Sequence, residues 1–103
     1  MVYDTKNRKL YAIDMDGTLT NGEQYWNGKS VTPNKKMIEW VNKRYIEGHI
    51  IIIYTARPYE EIRKSIAWLI EHGVLYHGIN MDKMGANSYI DDLAINVEDV
   101  NYG

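Results

Sequence analysis

Four aspartates stand in two close pairs, Asp14 with Asp16 and Asp91 with Asp92, and apolar residues lead into each pair: Leu10 to Ile13 before the first, Tyr89 and Ile90 before the second. An apolar run that stops on carboxylates is the pattern of a buried strand emerging at the edge of a sheet. Thr55 closes another such run, His49 to Tyr54, and Lys83 lies a few residues before the second aspartate pair. Brought together, these carboxylates repel one another and are costly to desolvate unless something cationic neutralises them. Mg²⁺ suits the set, because it takes oxygen ligands, keeps some of its waters and accepts phosphate oxygens into its octahedron. A metal-bound carboxylate cluster beside a lysine and a hydroxyl points to phosphoryl chemistry, in which positioning and charge neutralisation carry most of the work.

Such a cluster forms only if several elements deliver their ends to one place. Lys9 to Met15 reads as a first strand, followed by a loop or short hairpin from Asp16 to Ser30 with Gly17, Gly22, Asn27 and Gly28. Thr32-Pro33 reads as an N-cap and first helical residue. Met37, Trp40, Val41 and Tyr45 then recur at helical spacing until Gly48. His49 to Thr55 has the apolar, β-branched character of a central parallel strand buried on both faces. Pro58 opens a second helix with Glu60 and Glu61 at its positive end and a buried stripe of Ile62, Ile66, Leu69 and Ile70 before Gly73. Val74 to Ile79, Ser88 to Ile90 and Ala94 to Val97 read as a third, fourth and fifth strand. This alternation is that of an α/β domain. Right-handed crossovers gather the carboxyl ends of parallel strands along one edge, where ligands of open α/β sheets bind.

The length of 103 residues suits one domain over 1–103, and 45% hydrophobic with 25% charged residues is a globular composition. A net charge of −2 argues against general polyanion binding, although Lys6, Arg8 and Lys9, then Lys35, Lys36, Lys43 and Arg44, form local basic patches. With no cysteine there is no disulfide, thiol nucleophile or thiolate metal site. The longest apolar stretch, Ile50 to Tyr54, is far short of the roughly 20 residues of a membrane span, and no signal-peptide core is present, so the expected location is cytoplasmic.

The run Asp14-Met15-Asp16-Gly17-Thr18-Leu19-Thr20 resembles the nucleophile motif of the haloacid dehalogenase superfamily. Thr55 at the end of its strand, Lys83, and Asp91-Asp92 after Tyr89-Ile90 are similar to that superfamily's next three motifs, in the same order. The resemblance covers Leu10 to about Ile95. It implies a single Rossmann-like, three-layer domain with strand order 3-2-1-4-5 and no cap domain. It also implies an Mg²⁺-dependent phosphatase that hydrolyses phosphate monoesters through a phospho-aspartyl intermediate on Asp14. In those terms Asp16 is the general acid and base. Asp14, the Asp16 backbone carbonyl and Asp91 hold the metal, with Asp92 bound through water or orienting Lys83. Thr55, Lys83 and the backbone N–H groups after Asp14 stabilise the phosphoryl oxygens, and Gly17 allows close backbone approach. Ala56 and Arg57 follow Thr55 and are candidates to contact substrate, although Arg57 is equally suited to a local salt bridge. Met84 stands where many relatives have proline.

Absence of a cap leaves an open site, suited to phosphosugars or nucleotides, to a phosphate on something larger, or to closure by a second copy of the chain. A nucleic-acid terminal phosphate ranks behind the small esters. A non-catalytic phosphate- or metal-binding module of the same fold is the alternative, and the Asp14/Asp16 pair counts against it. A receiver-like domain would need its acceptor aspartate at the end of Val74 to Ile79, where there is none. His49, His72 and His77 are expected in structural or surface roles, and Trp40 and Trp68 as packing residues. Tyr25-Trp26, in the loop beside Asp14, can pack that loop or meet a sugar or base.

Overall fold

The five β-branched and aromatic residues Ile50–Tyr54 form β2, the middle strand of a parallel sheet, and its neighbours are β1 (Leu10–Ile13) and β3 (Gly78–Asn80). The computed structural model describes residues 7–27 and 30–103; Lys6 of the first basic patch and Gly28 of the first loop lie outside them. Ile13 pairs with Ile53 and Ile53 with Ile79, so the strands are in register and end together. Asp14, Thr55 and the residues after Asn80 therefore leave the sheet along one edge, as the parallel arrangement requires.

Helices α1 (Lys35–Ile46) and α2 (Ile62–Glu71) connect the strands. Met37, Ile38 and Val41 of α1 and Leu69 of α2 share one buried cluster with Ile13, Ile51 and Ile53. Trp40 and Trp68 pack against this cluster, as expected of them. Both helices thus lie on one face of the sheet. The other face, with Leu10 and Ala12 exposed and Ile50 and Ile52 half-buried, carries no helix among the described residues. The fold is the expected α/β parallel architecture; among the described residues it has no cap, and helices cover one face of the sheet.

Several boundaries differ from the sequence reading. Thr32 does not cap α1, because its hydroxyl bonds the Glu23 carboxylate and Pro33 sits in a bridge with Thr20. Asn34 caps instead, its side chain accepting from Met37 N–H and donating to Thr18 C=O. Gly48, at φ +98, ends the helix in a conformation that glycine adopts without strain. In α2, Ser65 is buried and Ile70 faces solvent, reversing one position of the expected stripe. Strand β3 begins at Gly78 and not at Val74, because the His77 ring takes a ladder position: Ile51 N–H donates to its Nδ1 while His77 N–H donates to Ile51 C=O.

The fourth and fifth strands do not form. Ser88 to Ile90 is irregular and Ile90 is 99% exposed, while the end of the last expected strand becomes a helical turn, Val97–Asp99. Of the expected order only the 3-2-1 half is built. Three residues between Asn87 and an aspartate pair offer little apolar surface to offset the entropy of ordering them. Beyond that segment Val97 and Val100 pack against the core and the Tyr102 hydroxyl reaches Met37 Sδ. No described helix is long and apolar enough to cross a membrane.

The two isoleucines Ile53 and Ile90 separate these regions energetically. Ile53→Ala, at a fully buried position, should cost about 2–5 kcal/mol in urea unfolding. Ile90→Ala should stay within about 0.5 kcal/mol. A large loss for Ile90→Ala would mean that a fourth strand joins the sheet.

Candidate active site

Asp14 is the first residue beyond β1 and starts a five-residue turn closed by a hydrogen bond from Thr20 N–H to Met15 C=O, 3.0 Å. Gly17 makes that turn possible, since its φ of +79 is left-handed; a side chain there would meet no neighbour within 4 Å, so backbone conformation is what selects glycine here. Buried Met15 and Leu19 anchor the turn in the core, and the buried Thr20 Oγ1 accepts from both Gly17 and Gly22 N–H at 3.2 Å. Asn34 then ties the turn to the start of α1: its side-chain amide donates to Thr18 C=O and its backbone N–H donates to Leu19 C=O at 2.7 Å.

The Asp14 carboxylate is held at one oxygen and open at the other. Oδ1 accepts from Met15 N–H at 2.8 Å, and Oδ2 lies 4.0 Å from Lys83 Nζ. Lys83 arrives there by backbone connections. Thr55 N–H donates to Asn80 C=O, Asp82 N–H to Arg57 C=O and Lys83 N–H to Thr55 C=O, so the loop after β3 is bound to the end of β2. Asp82 adopts φ +60 in this turn, a conformation aspartate tolerates better than most residues. The ammonium sits 4.3 Å from the ring centre of Tyr89 and 5.1 Å from that of Tyr54. Neither tyrosine was singled out in the sequence, where only adjacency to Thr55 and to the second aspartate pair marks them.

Asp16 has a different cation. Arg57 Nε donates to Asp16 Oδ2 at 2.8 Å and its Nη2 donates to Oδ1 at 2.7 Å, a bidentate fork. The salt bridge that Arg57 makes is thus a tertiary one, with a residue 41 positions away in the sequence. The guanidinium is buried; its Nη1 donates to Ser65 Oγ at 3.2 Å, and the Tyr25 ring covers it at 4.3 Å. Tyr25 in turn meets Trp26 edge-on at 5.0 Å, and Trp26 is 65% exposed. Thr55, fully buried, accepts from Arg57 N–H at 3.1 Å and keeps its hydroxyl proton for another partner. Ala56 is exposed beside it.

Burial pushes the Asp14 carboxyl above its usual value of 3.8; Lys83 and the Met15 N–H oppose the rise, and the charge of Asp16 adds to it. Burial likewise raises the Tyr25 hydroxyl, with Asp16 contributing. Asp14 and Asp16 are therefore close enough to feel each other.

The second aspartate pair does not join them. Asp91 and Asp92 are exposed on the segment after Lys83, and Asp91 Oδ1 accepts from Leu93 N–H at 2.7 Å. Among the described residues no three His, Cys, Asp or Glu side chains are grouped to hold a metal ion. Of the four motif carboxylates only Asp14 and Asp16 stand together, so the ligand set that the motifs imply for Mg²⁺ is not assembled in this arrangement. Two backbone donors expected to meet phosphoryl oxygens are also engaged locally, Met15 N–H by Asp14 and Gly17 N–H by Thr20. The three histidines have partners outside the site: His49 Nδ1 accepts from Lys9 N–H, the His72 ring lies tilted against Trp68 at 4.4 Å, and His77 pairs with Ile51.

The sequence profile of the haloacid dehalogenase-like hydrolases matches residues 11–102. A crystal structure of a structural-genomics target from Vibrio cholerae is similar in fold, with a TM-score of 0.72 and 25% identity over 87% of this chain and 85% of that one. Among curated proteins none matches.

A raised carboxyl pKa in the folded state has a consequence for stability. Its contribution is fully present below the unfolded value and is lost as pH rises through the folded value, so ionised Asp14 works against the fold. Asp14→Asn should therefore melt higher than the unsubstituted protein at pH 7 in chelator, and the gap should close below the usual carboxyl value of 3.8. Thermal unfolding followed across pH checks this; a variant that melts lower at pH 7 would mean that Lys83 outweighs burial.

Proposed function

Since this chain belongs to the haloacid dehalogenase-like hydrolases, we propose that it is a phosphatase that cleaves phosphate monoesters with Asp14 as nucleophile. The observation that carries the reading is the Asp14 carboxylate at the sheet edge, pinned at Oδ1 by Met15 N–H and facing Lys83 through Oδ2. A carboxylate raised in pKa by burial is a stronger nucleophile than one in water, and the nearby ammonium compensates phosphoryl charge without bonding the attacking oxygen tightly.

In the first step Asp14 Oδ2 bonds to phosphorus, the ester P–O bond breaks, and Asp16 supplies the proton that the leaving alkoxide takes up. In the second, Asp16 takes a proton from water as its oxygen bonds to phosphorus, the Asp14–phosphorus bond breaks, and phosphate leaves. Lys83 and the Thr55 hydroxyl donate to the non-bridging oxygens throughout. Hydrolases of this family commonly use Mg²⁺, and Mg²⁺ dependence belongs to the proposal on that ground. With Asp91 and Asp92 outside the cluster, no step here is routed through the metal.

The chain acts as one domain over 1–103 in this reading, with its site open to solvent. Phosphosugars and nucleotides are the favoured substrates, and exposed Trp26 offers either of them a flat apolar face.

Assays of a panel of phosphate esters, run both in EDTA and in Mg²⁺, test the activity. p-Nitrophenyl phosphate should be hydrolysed. Asp14→Asn should lower kcat by at least about 10³-fold and form no phosphoryl-enzyme. Asp16→Asn should release a burst of p-nitrophenol, about one per site, and then turn over slowly, because departure of a good leaving group needs little protonation while water still needs a base. Mass spectrometry should find the phosphoryl group on Asp14. A label on Asp16 or Asp91, or undiminished turnover by Asp14→Asn, would overturn the assignment.

A further inference from the structure

Arg57 is the most connected side chain near the site that the mechanism above leaves unused. It is 3% exposed, yet three of its nitrogens donate: Nε and Nη2 to the two oxygens of Asp16, and Nη1 to Ser65 Oγ. Ser65 is itself fully buried and fixed by donating to Glu61 C=O at 2.8 Å. The Arg57 backbone is held at both ends, its N–H on Thr55 Oγ1 and its C=O accepting from Asp82 N–H. Tyr25 closes the exposed face of the guanidinium. A side chain so held cannot swing out to meet a substrate without breaking bonds on two elements.

From this geometry we infer that Arg57 is a positioning residue for Asp16: it fixes the plane of the carboxylate that serves the leaving oxygen and the water, and does not itself bind the ester. The inference rests on the phosphatase reading. A carboxylate inside a turn, with only glycine following it, is free to rotate about both side-chain torsions, and a planar fork removes both freedoms at once. Lysine, a point charge, would hold the position but not the plane. Tyr25 keeps water from the fork on one side, so the aromatic loop 21–27 contributes to the same alignment. The spare lone pairs of Asp16, those not facing the guanidinium, remain for the proton transfers.

The role has a signature in leaving-group dependence. Proton donation matters for an alkyl ester and little for an aryl ester with a stable phenolate. Arg57→Met, which keeps the stem against Tyr25, should lower kcat for ethyl phosphate by at least about 30-fold, within the range of general acid catalysis, and for p-nitrophenyl phosphate by less than about fivefold in the burst step. KM should change by no more than about threefold for either ester. Arg57→Lys should recover part of the ethyl phosphate activity, and adding Arg57→Met to Asp16→Asn should cost nothing further.

Melting curves establish that each variant is folded; Arg57→Lys retains the charge and serves if Arg57→Met does not fold. Equal losses on both esters in the step that releases the leaving group would reduce Arg57 to a structural role and overturn the inference. A rise in KM for both at unchanged kcat would make it a substrate ligand and overturn it as well. An unsubstituted protein that hydrolyses neither ester sinks the phosphatase reading and this inference together, whereas an active one with either of those variant profiles sinks the inference alone.

Discussion

Two carboxylates two residues apart at the rim of a sheet are an electrostatic liability, and the fold meets it by giving each its own cation from a different loop. Lys83, carried by the loop after β3, faces Asp14; Arg57, in the loop after β2, clamps Asp16. The backbone bonds from Thr55 to Asn80, from Asp82 to Arg57 and from Lys83 to Thr55 tie those loops together, so the two cations keep a fixed spacing. Remove that tie and the aspartates are left to repel each other. Strand register, the left-handed turn at Asp82 and the burial of Ser65 all serve this arrangement of charges.

The two pairs differ in kind, which suits different tasks. A bidentate fork under an aromatic ring is directional and fixes a plane, while an ammonium 4.0 Å from a carboxylate attracts without directing. In the proposed mechanism this leaves the attacking Asp14 reactive and the proton-carrying Asp16 oriented. Partial burial of Asp14 is the cost of that reactivity, since it raises the carboxyl pKa and sets its ionisation against folding.

Most of this site was legible because its residues sit where apolar runs end. Asp14 and Thr55 were found from that pattern and Lys83 from its place before the second aspartate pair and from the family resemblance, and the structure brings the three together with Asp16 and Arg57. What escaped was tertiary. The preference of Arg57 for Asp16 over solvent depends on Ser65, a polar residue in an apolar helical stripe, and nothing local announces that contact. The helix start at Asn34 was missed because Thr32, followed by Pro33, also has the pattern of a cap until Glu23 claims its hydroxyl. The expected fourth strand rested on three residues, Ser88 to Ile90, too few for periodicity to decide between a strand and an exposed loop. With it went the expected approach of Asp91 and Asp92 to Asp14, since residues beyond an unformed strand have no edge to arrive at.

In the proposed mechanism a phosphoryl group is transferred twice, first to a side chain and then to water, and stereochemistry at phosphorus reports the number of displacements directly. A substrate phosphorothioate made chiral with oxygen isotopes, hydrolysed in isotopically labelled water, should give product with net retention, because each in-line transfer inverts the centre once. Net inversion would mean a single direct attack by water, leaving Asp14 without its role as nucleophile.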